Sequence, residues 1–125
     1  MPYSEAMKGI DGLKPKYDTQ KSIYAAMLSE LEAALKSMDP SKANVFGTAD
    51  PYFKGDVTKW KKFGNSLLLR MGLRVVDANG FTVRANAAIN SAITGGVFTS
   101  NDDNAALHYE GATPNTNPVC VDLVQ

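Results

Sequence analysis

The sequence contains a single cysteine, Cys120, so no disulfide can form within the chain and no redox compartment follows from it. Near the end of the chain it reads as a small apolar residue and not as a nucleophile. The single histidine, His108, stands in a polar stretch with no second histidine or paired cysteine nearby. That excludes the usual zinc spacings and leaves a histidine-based dyad without a partner. Charge of one sign is also absent: 13 Lys plus Arg balance 13 Asp plus Glu. A neutral chain offers no bulk attraction to nucleic acid or to an anionic membrane surface. No run of about 18 apolar residues is present, as a membrane-spanning helix requires. The opening MPYSEAMKG has neither a basic region nor an apolar core and is not a signal peptide. Gly9, Gly12 and the pair Gly95-Gly96 match neither a dinucleotide fingerprint nor a phosphate loop. No repeat of a solenoid period is visible.

What remains is an ordinary apolar fraction, 44%, in a length that holds one domain. Residues 1–17 carry Gly and Pro with few apolar side chains and read as an extended loop with one short turn. Asp18 or Thr19 then caps a helix to about Met38. Ile23, Tyr24, Met27, Leu28, Leu31, Ala34, Leu35 and Met38 share one face of it, which predicts a single buried stripe. Asp39-Pro40 ends it. Residues 39–55 form a long loop that nevertheless holds Val45, Phe46, Tyr52 and Phe53. Loops of that length in a compact domain are functional or packed by their own aromatics.

Asp56 caps a second helix, to about Asp77. At about 100° per residue, Trp60, Phe63, Leu67 and Met71 fall on one side and Leu69, Leu73 and Val76 on the other. After the first turn, Lys59, Ser66, Arg70 and Arg74 form a polar strip. A helix apolar almost all round is a central one, and part of its 69–73–76 side is expected to stay uncovered by the two other helices. Asn79-Gly80 makes a tight connection to a third helix, about 81–95. Its face is Phe81, Ala85, Ala88, Ile89, Ala92 and Ile93, with Gly95-Gly96 as C-terminal cap. Residues 99–118 are polar and read as loop. The final PVCVDLVQ turns apolar and stops, which predicts a chain cut from a longer one.

Few residues offer chemistry. Trp60 and Phe63 lie on the densest apolar face and read as core, packed against the first or third helix. Tyr52 and Phe53, in the long loop, are better placed for an exposed sugar platform, but local packing is the favoured reading, because large loop aromatics usually anchor their loop. Asn101-Asp102-Asp103-Asn104 gathers oxygens that calcium accepts, but it lacks the alternation, the glycine and the distal Glu of a calcium loop, and reads as a solvated turn. Arg70 and Arg74 are expected to pair with carboxylates of neighbouring helices. Asn65, among apolar positions, is expected to bond another helix or a loop backbone. No nucleophile–base pair and no closely spaced acid pair stands on a defined frame, so the chain does not read as an enzyme. No catalytic, cofactor or metal residue is assigned. Gly64 and Gly72, inside the second helix, predict a gain of about 0.5–1 kcal/mol on mutation to Ala from helix propensity, provided the neighbouring helix does not touch the Cα; at Gly64 a neighbour moved inward would turn the gain into an overpacking cost of about 1–3 kcal/mol.

Residues 55–74, GDVTKWKKFGNSLLLRMGLR, resemble the GD-x-x-KW-x-KFANSL-x-LR-x-x-x-R helix of the SusD/RagB-like family of outer-membrane nutrient-binding lipoproteins. PYSEA at the start, PKYDTQKSIYAAMLSELEAAL at 15–35, the GG-x-F ending of the third helix and NTNP at 115–118 resemble family landmarks in the same order. Gly64 and Gly72 stand where the family usually has Ala. The resemblance implies an all-α fold, a tetratricopeptide-like helical scaffold with long loops, of which residues 1–125 are a single partial domain and internal fragment. It implies capture of an oligosaccharide or other nutrient at the cell surface and its delivery to a TonB-dependent outer-membrane transporter, with a lipid anchor outside this chain. It places no ligand-contacting residue at a numbered position here. The competing reading is a helical protein–protein interaction scaffold without a ligand of its own.

Overall fold

A computed structural model describes residues 1–42, 44–111 and 115–119. Cys120 and the apolar end of the chain lie outside the described residues. Helix α1 spans Gln20–Ser37, α2 Val57–Val75 and α3 Thr82–Gly95, and single 3-10 turns occupy Gly9–Gly12, Gly47–Ala49 and Asn101–Asp103. There is no strand among the described residues. The all-α expectation holds, and each helix begins and ends within two residues of the sequence reading.

The caps explain those boundaries. Thr19, not Asp18, caps α1: its Oγ1 accepts the Ser22 N–H at 3.1 Å. The Asp18 carboxylate instead accepts the N–H groups of Tyr3 and Ser4 at 2.7 and 2.8 Å and the Ser4 hydroxyl at 2.8 Å, tying down the first residues. Asp56 caps α2 through the N–H groups of Thr58 and Lys59. Gly96 takes φ 86° to end α3, a left-handed conformation that suits glycine.

Contacts between residues 35 and 64 and between 38 and 61 run α1 antiparallel to α2, and contacts between 72 and 89 and between 65 and 96 do the same for α3. The chain is thus two successive helical hairpins sharing the central α2. The core joins Leu28 and Leu35 of α1, Leu68, Met71 and Val75 of α2, and Phe81, Ala85, Ala88 and Ala92 at and along α3. The three alanines are fully buried, which lets the α3 backbone press close to α2.

That approach decides the condition on which the gain at the two glycines depends, against the gain. A Cβ on Gly72 would stand 2.8 Å from Ile89 Cγ1 and 3.3 Å from the backbone oxygen of Ala85. A Cβ on Gly64 would meet Leu35 Cδ2 at 2.6 Å. Helix propensity favours alanine at both, but the packing has used the missing methyl groups to bring neighbours inward.

The buried stripe of α2 is also rotated from the expected one. Gly64, Asn65, Leu68, Met71, Gly72 and Val75 are buried, whereas Phe63 and Leu67 remain 37% and 39% exposed. On a helix apolar nearly all round, periodicity does not say which stripe meets the neighbours. Of the opposite side, Leu73 is exposed as expected, but Leu69 and Val76 pack on the core edge. Ile93 of α3, expected inside, is exposed, and so are Met27 and Ala34 of α1.

Candidate functional site

The long loop before α2 is built around one carboxylate. Asp50 Oδ1 accepts the N–H groups of Tyr52 and Phe53 at 3.0 and 3.4 Å, and Oδ2 accepts the Gly55 N–H at 2.9 Å and the Trp60 indole N–H at 2.7 Å. Burial disfavours the charge, but these donors, Gly55 first and Trp60 second, outweigh it and hold the Asp50 carboxyl below its ordinary range. Gly55 has φ 78°, and a Cβ there would collide with the Asn44 side chain, which donates to the Lys54 carbonyl and accepts the Gly47 N–H. Two short-range networks thus hold a loop that has only a 3-10 turn for regular structure.

The loop brings an aromatic cluster to the start of α2. Trp60 stands edge-on to Phe53, Tyr52 and Phe63 with ring centroids 5.1, 6.1 and 5.7 Å apart, and Phe63 leans on Phe98 at 6.1 Å. Such geometries are favourable beyond simple burial. This corrects the expectation that Trp60 is helix-packed core. It is half-buried, and its ring partners come from the loop and its own helix. Phe53 is buried and anchors the loop, while Tyr52 stays 42% exposed. Beside the indole lies an open cleft of about 400 Å³ lined by Met38, Phe46, Asp50, Gly55, Val57 and Trp60. Phe46 is exposed at its mouth. Among the described residues the ionisable group lining it is Asp50, whose oxygens already serve four N–H groups. The cleft therefore offers an apolar, aromatic surface for a ring-bearing ligand.

The polar residues of the α2 motif do structural work on the segment that follows α3. Asn65, buried as expected, donates from Nδ2 to the Gly96 carbonyl at 3.0 Å. Ser66 Oγ accepts the Phe98 N–H at 2.9 Å. Lys62 Nζ meets Asp103 Oδ1 at 2.8 Å, and Lys59 Nζ donates to the Asp102 carbonyl. The 101–104 turn is therefore not simply solvated. Asp103 is buried and also accepts the Thr99 N–H at 3.0 Å. Among the described residues no group of three metal-ligating side chains exists.

The Lys62 hydrogen bond, then the Thr99 N–H, lower the Asp103 carboxyl from 3.8 to about 2 against the opposing effect of burial. A carboxyl depressed on folding adds stability that is complete above its unfolded value and fades as pH falls towards the folded one. Stability is thus expected to drop between about pH 4 and pH 2. Asp103→Asn should flatten that part of the profile, as read by urea unfolding at stepped pH. An unchanged acid limb in the variant would refute the assignment.

Arg70 and Arg74 are exposed and form no ion pair among the described residues, contrary to expectation. The pair between flanking helices is Arg84–Glu32, bidentate at 2.9 and 2.8 Å. Glu32 and Arg84 lie 52 positions apart on polar faces of helices that do not adjoin in sequence, so no local spacing signals them. His108 is exposed.

Comparison with known proteins gives a consistent assignment. The SusD-like family model described as "Starch-binding associating with outer membrane" matches residues 1–123. A solved structure described as a chitin-binding protein is 35% identical, with a TM-score of 0.70 over 86% of this chain and 22% of its own. A SusD homologue from Bacteroides uniformis is 34% identical, with a TM-score of 0.73 over 92% of this chain and 24% of its own. Another from Bacteroides thetaiotaomicron is 32% identical, with a TM-score of 0.68 over 86% of this chain and 23% of its own. The chain thus spans less than a quarter of the length of these relatives. No curated protein matches it.

Proposed function

This chain belongs to the SusD-like family of outer-membrane-associated starch-binding proteins, and from that premise we propose that it takes part in capturing an oligosaccharide at the cell surface. The observation that carries the proposal is the Trp60 cleft. A loop ordered by Asp50 presents the indole, with Phe46 and Val57, along an open groove. Sugar rings have apolar C–H faces that suit such a wall, and the chitin-binding relative supports glycans as the ligand class. The family is one of binding proteins, in keeping with a non-enzymatic role. Delivery of the ligand to a TonB-dependent transporter and anchoring through a lipid belong to the same proposal and rest on the family resemblance. Exposed Phe63, Leu67 and Leu73 favour a second reading, in which the helices also present a face to a protein partner.

Trp60 is the only tryptophan, so its fluorescence reports the cleft directly. Titration with maltohexaose or chitohexaose is expected to give a saturable change in emission, and Phe46→Ala should weaken it. Emission unmoved by both oligosaccharides would remove the cleft from the binding surface.

A further inference from the structure

A second hollow lies at the other end of the α1–α2 pair from the Trp60 cleft. Its volume is about 380 Å³, and it is lined by Gln20, Lys21, Tyr24, Arg74, Val75, Ala78, Asn79 and Phe81. Three facts make its lining unusual. Among the described residues it carries two cations, Lys21 and Arg74, and no acid. Neither cation has an ion-pair partner among the described residues, although pairs form elsewhere at Lys62–Asp103 and Arg84–Glu32. Asp77, on the same turn as Arg74, is exposed and does not line the hollow. The apolar floor is formed by Val75 and Phe81, core residues 5% and 6% exposed, with Tyr24 packed beside them. Gln20, Asn79 and Tyr24 add neutral hydrogen-bonding groups to the lining.

Lys21 Nζ lies 3.0 Å from where a Cβ on Gly80 would be, so the side chain folds over the Asn79–Gly80 turn. Gly80 has φ 79°, which closes that turn and keeps the space clear for the ammonium. The C-terminal end of α2 would oppose an anion, but the Val75 and Ala78 carbonyls are already bonded to Ala78 N–H and Phe81 N–H. The first turn of α1 holds no acid.

We propose that this hollow binds an acidic sugar, a hexuronate residue. The carboxylate sits against Arg74 and Lys21, the ring hydroxyls meet the amides of Gln20 and Asn79, and an apolar ring face rests on Tyr24 above the buried Phe81. The volume suits a single ring at the end or within a glycan, at the lower limit of small-ligand pockets. Inorganic phosphate would leave the apolar floor unused, and a neutral sugar would leave both cations unused. The inference concerns a site apart from the Trp60 cleft and does not depend on it.

The test is an NMR titration of the protein with D-glucuronate, D-glucose and inorganic phosphate. Glucuronate is expected to shift the amides of Lys21, Arg74 and Asn79 saturably. Glucose and phosphate should each bind about tenfold or more weakly, because each forfeits charge-assisted bonds or ring contact. Lys21→Gln and Arg74→Gln alter exposed side chains and should each weaken glucuronate about tenfold, with the helical circular dichroism unchanged. Glucose or phosphate binding as tightly as glucuronate would overturn the proposal. So would variants that bind glucuronate as the parent does, or no shift at these amides. These amides are read separately from Trp60 emission, so a failure here and a failure of the cleft are told apart.

Discussion

Leu28→Ala is expected to lower the unfolding free energy by about 2–5 kcal/mol. Leu28 is fully buried, and it is one of only two buried residues with which α1 holds the core, the other being Leu35. α3 has three buried alanines and Phe81 just before it, so its attachment to α2 is spread over more sites. Truncating Leu28 removes apolar contact and leaves a cavity that the rigid α2–α3 pair does not collapse to fill. For a chain of this size the loss is a large fraction of the total stability. Met27→Ala is the control. Met27 is 37% exposed, and alanine has the better helix propensity, so its cost should stay below about 1 kcal/mol. Urea unfolding followed by circular dichroism separates the two. Equal midpoints for the two variants would mean that α1 is not docked through Leu28.

Gly72→Ala is expected to destabilise by about 1–3 kcal/mol, the reverse of what helix propensity alone predicts. The added methyl meets Ile89 Cγ1 at 2.8 Å and the Ala85 carbonyl oxygen at 3.3 Å. A backbone oxygen cannot swing away, so α3 as a whole must move out from α2, and the contacts of Ala85 and Ala88 loosen with it. Gly64→Ala offers an informative contrast. Its methyl meets the terminal Cδ2 of Leu35, at the far end of a side chain that can rotate. Relief there offsets the propensity gain, and the net change should fall within about 1 kcal/mol of zero. Thermal unfolding of both variants checks the ranking. Stabilisation by Gly72→Ala would show that α2 and α3 do not approach as closely as the geometry requires.

The helices themselves were legible because their signals are local. Thr19 and Asp56 before apolar periodic runs, Asp39-Pro40 after one and Gly95-Gly96 after another mark starts and stops that depend only on neighbouring residues. The family too was written locally, in the residue pattern of 55–74. Asn65 was legible as a hydrogen-bonding residue, since a buried amide must find a partner. Its partner, the Gly96 carbonyl, was not, because it lies 31 positions away.

Everything that depended on which surfaces meet was left to the tertiary structure. Apolar residues fall on more than one side of α2, so the chain did not say whether Phe63 and Leu67 or Leu68 and Gly72 would face the neighbours. The fold put the second pair inside and left the first beside Phe98 and solvent. Propensity scored the two glycines without knowing that Leu35 and Ile89 would move into their space. Arg74 and Lys21 stand 53 positions apart and line one hollow only because α1 and α2 run antiparallel. Asp103 looked like one of four interchangeable polar residues until Lys62, on another element, selected it. Sequence by itself determined the helices, their ends and the family, since caps and periodicity act within a few residues. The buried stripe, the glycine contacts, the Trp60 cleft and the cationic hollow were decided by the fold, since each is a relation between residues that only packing brings together.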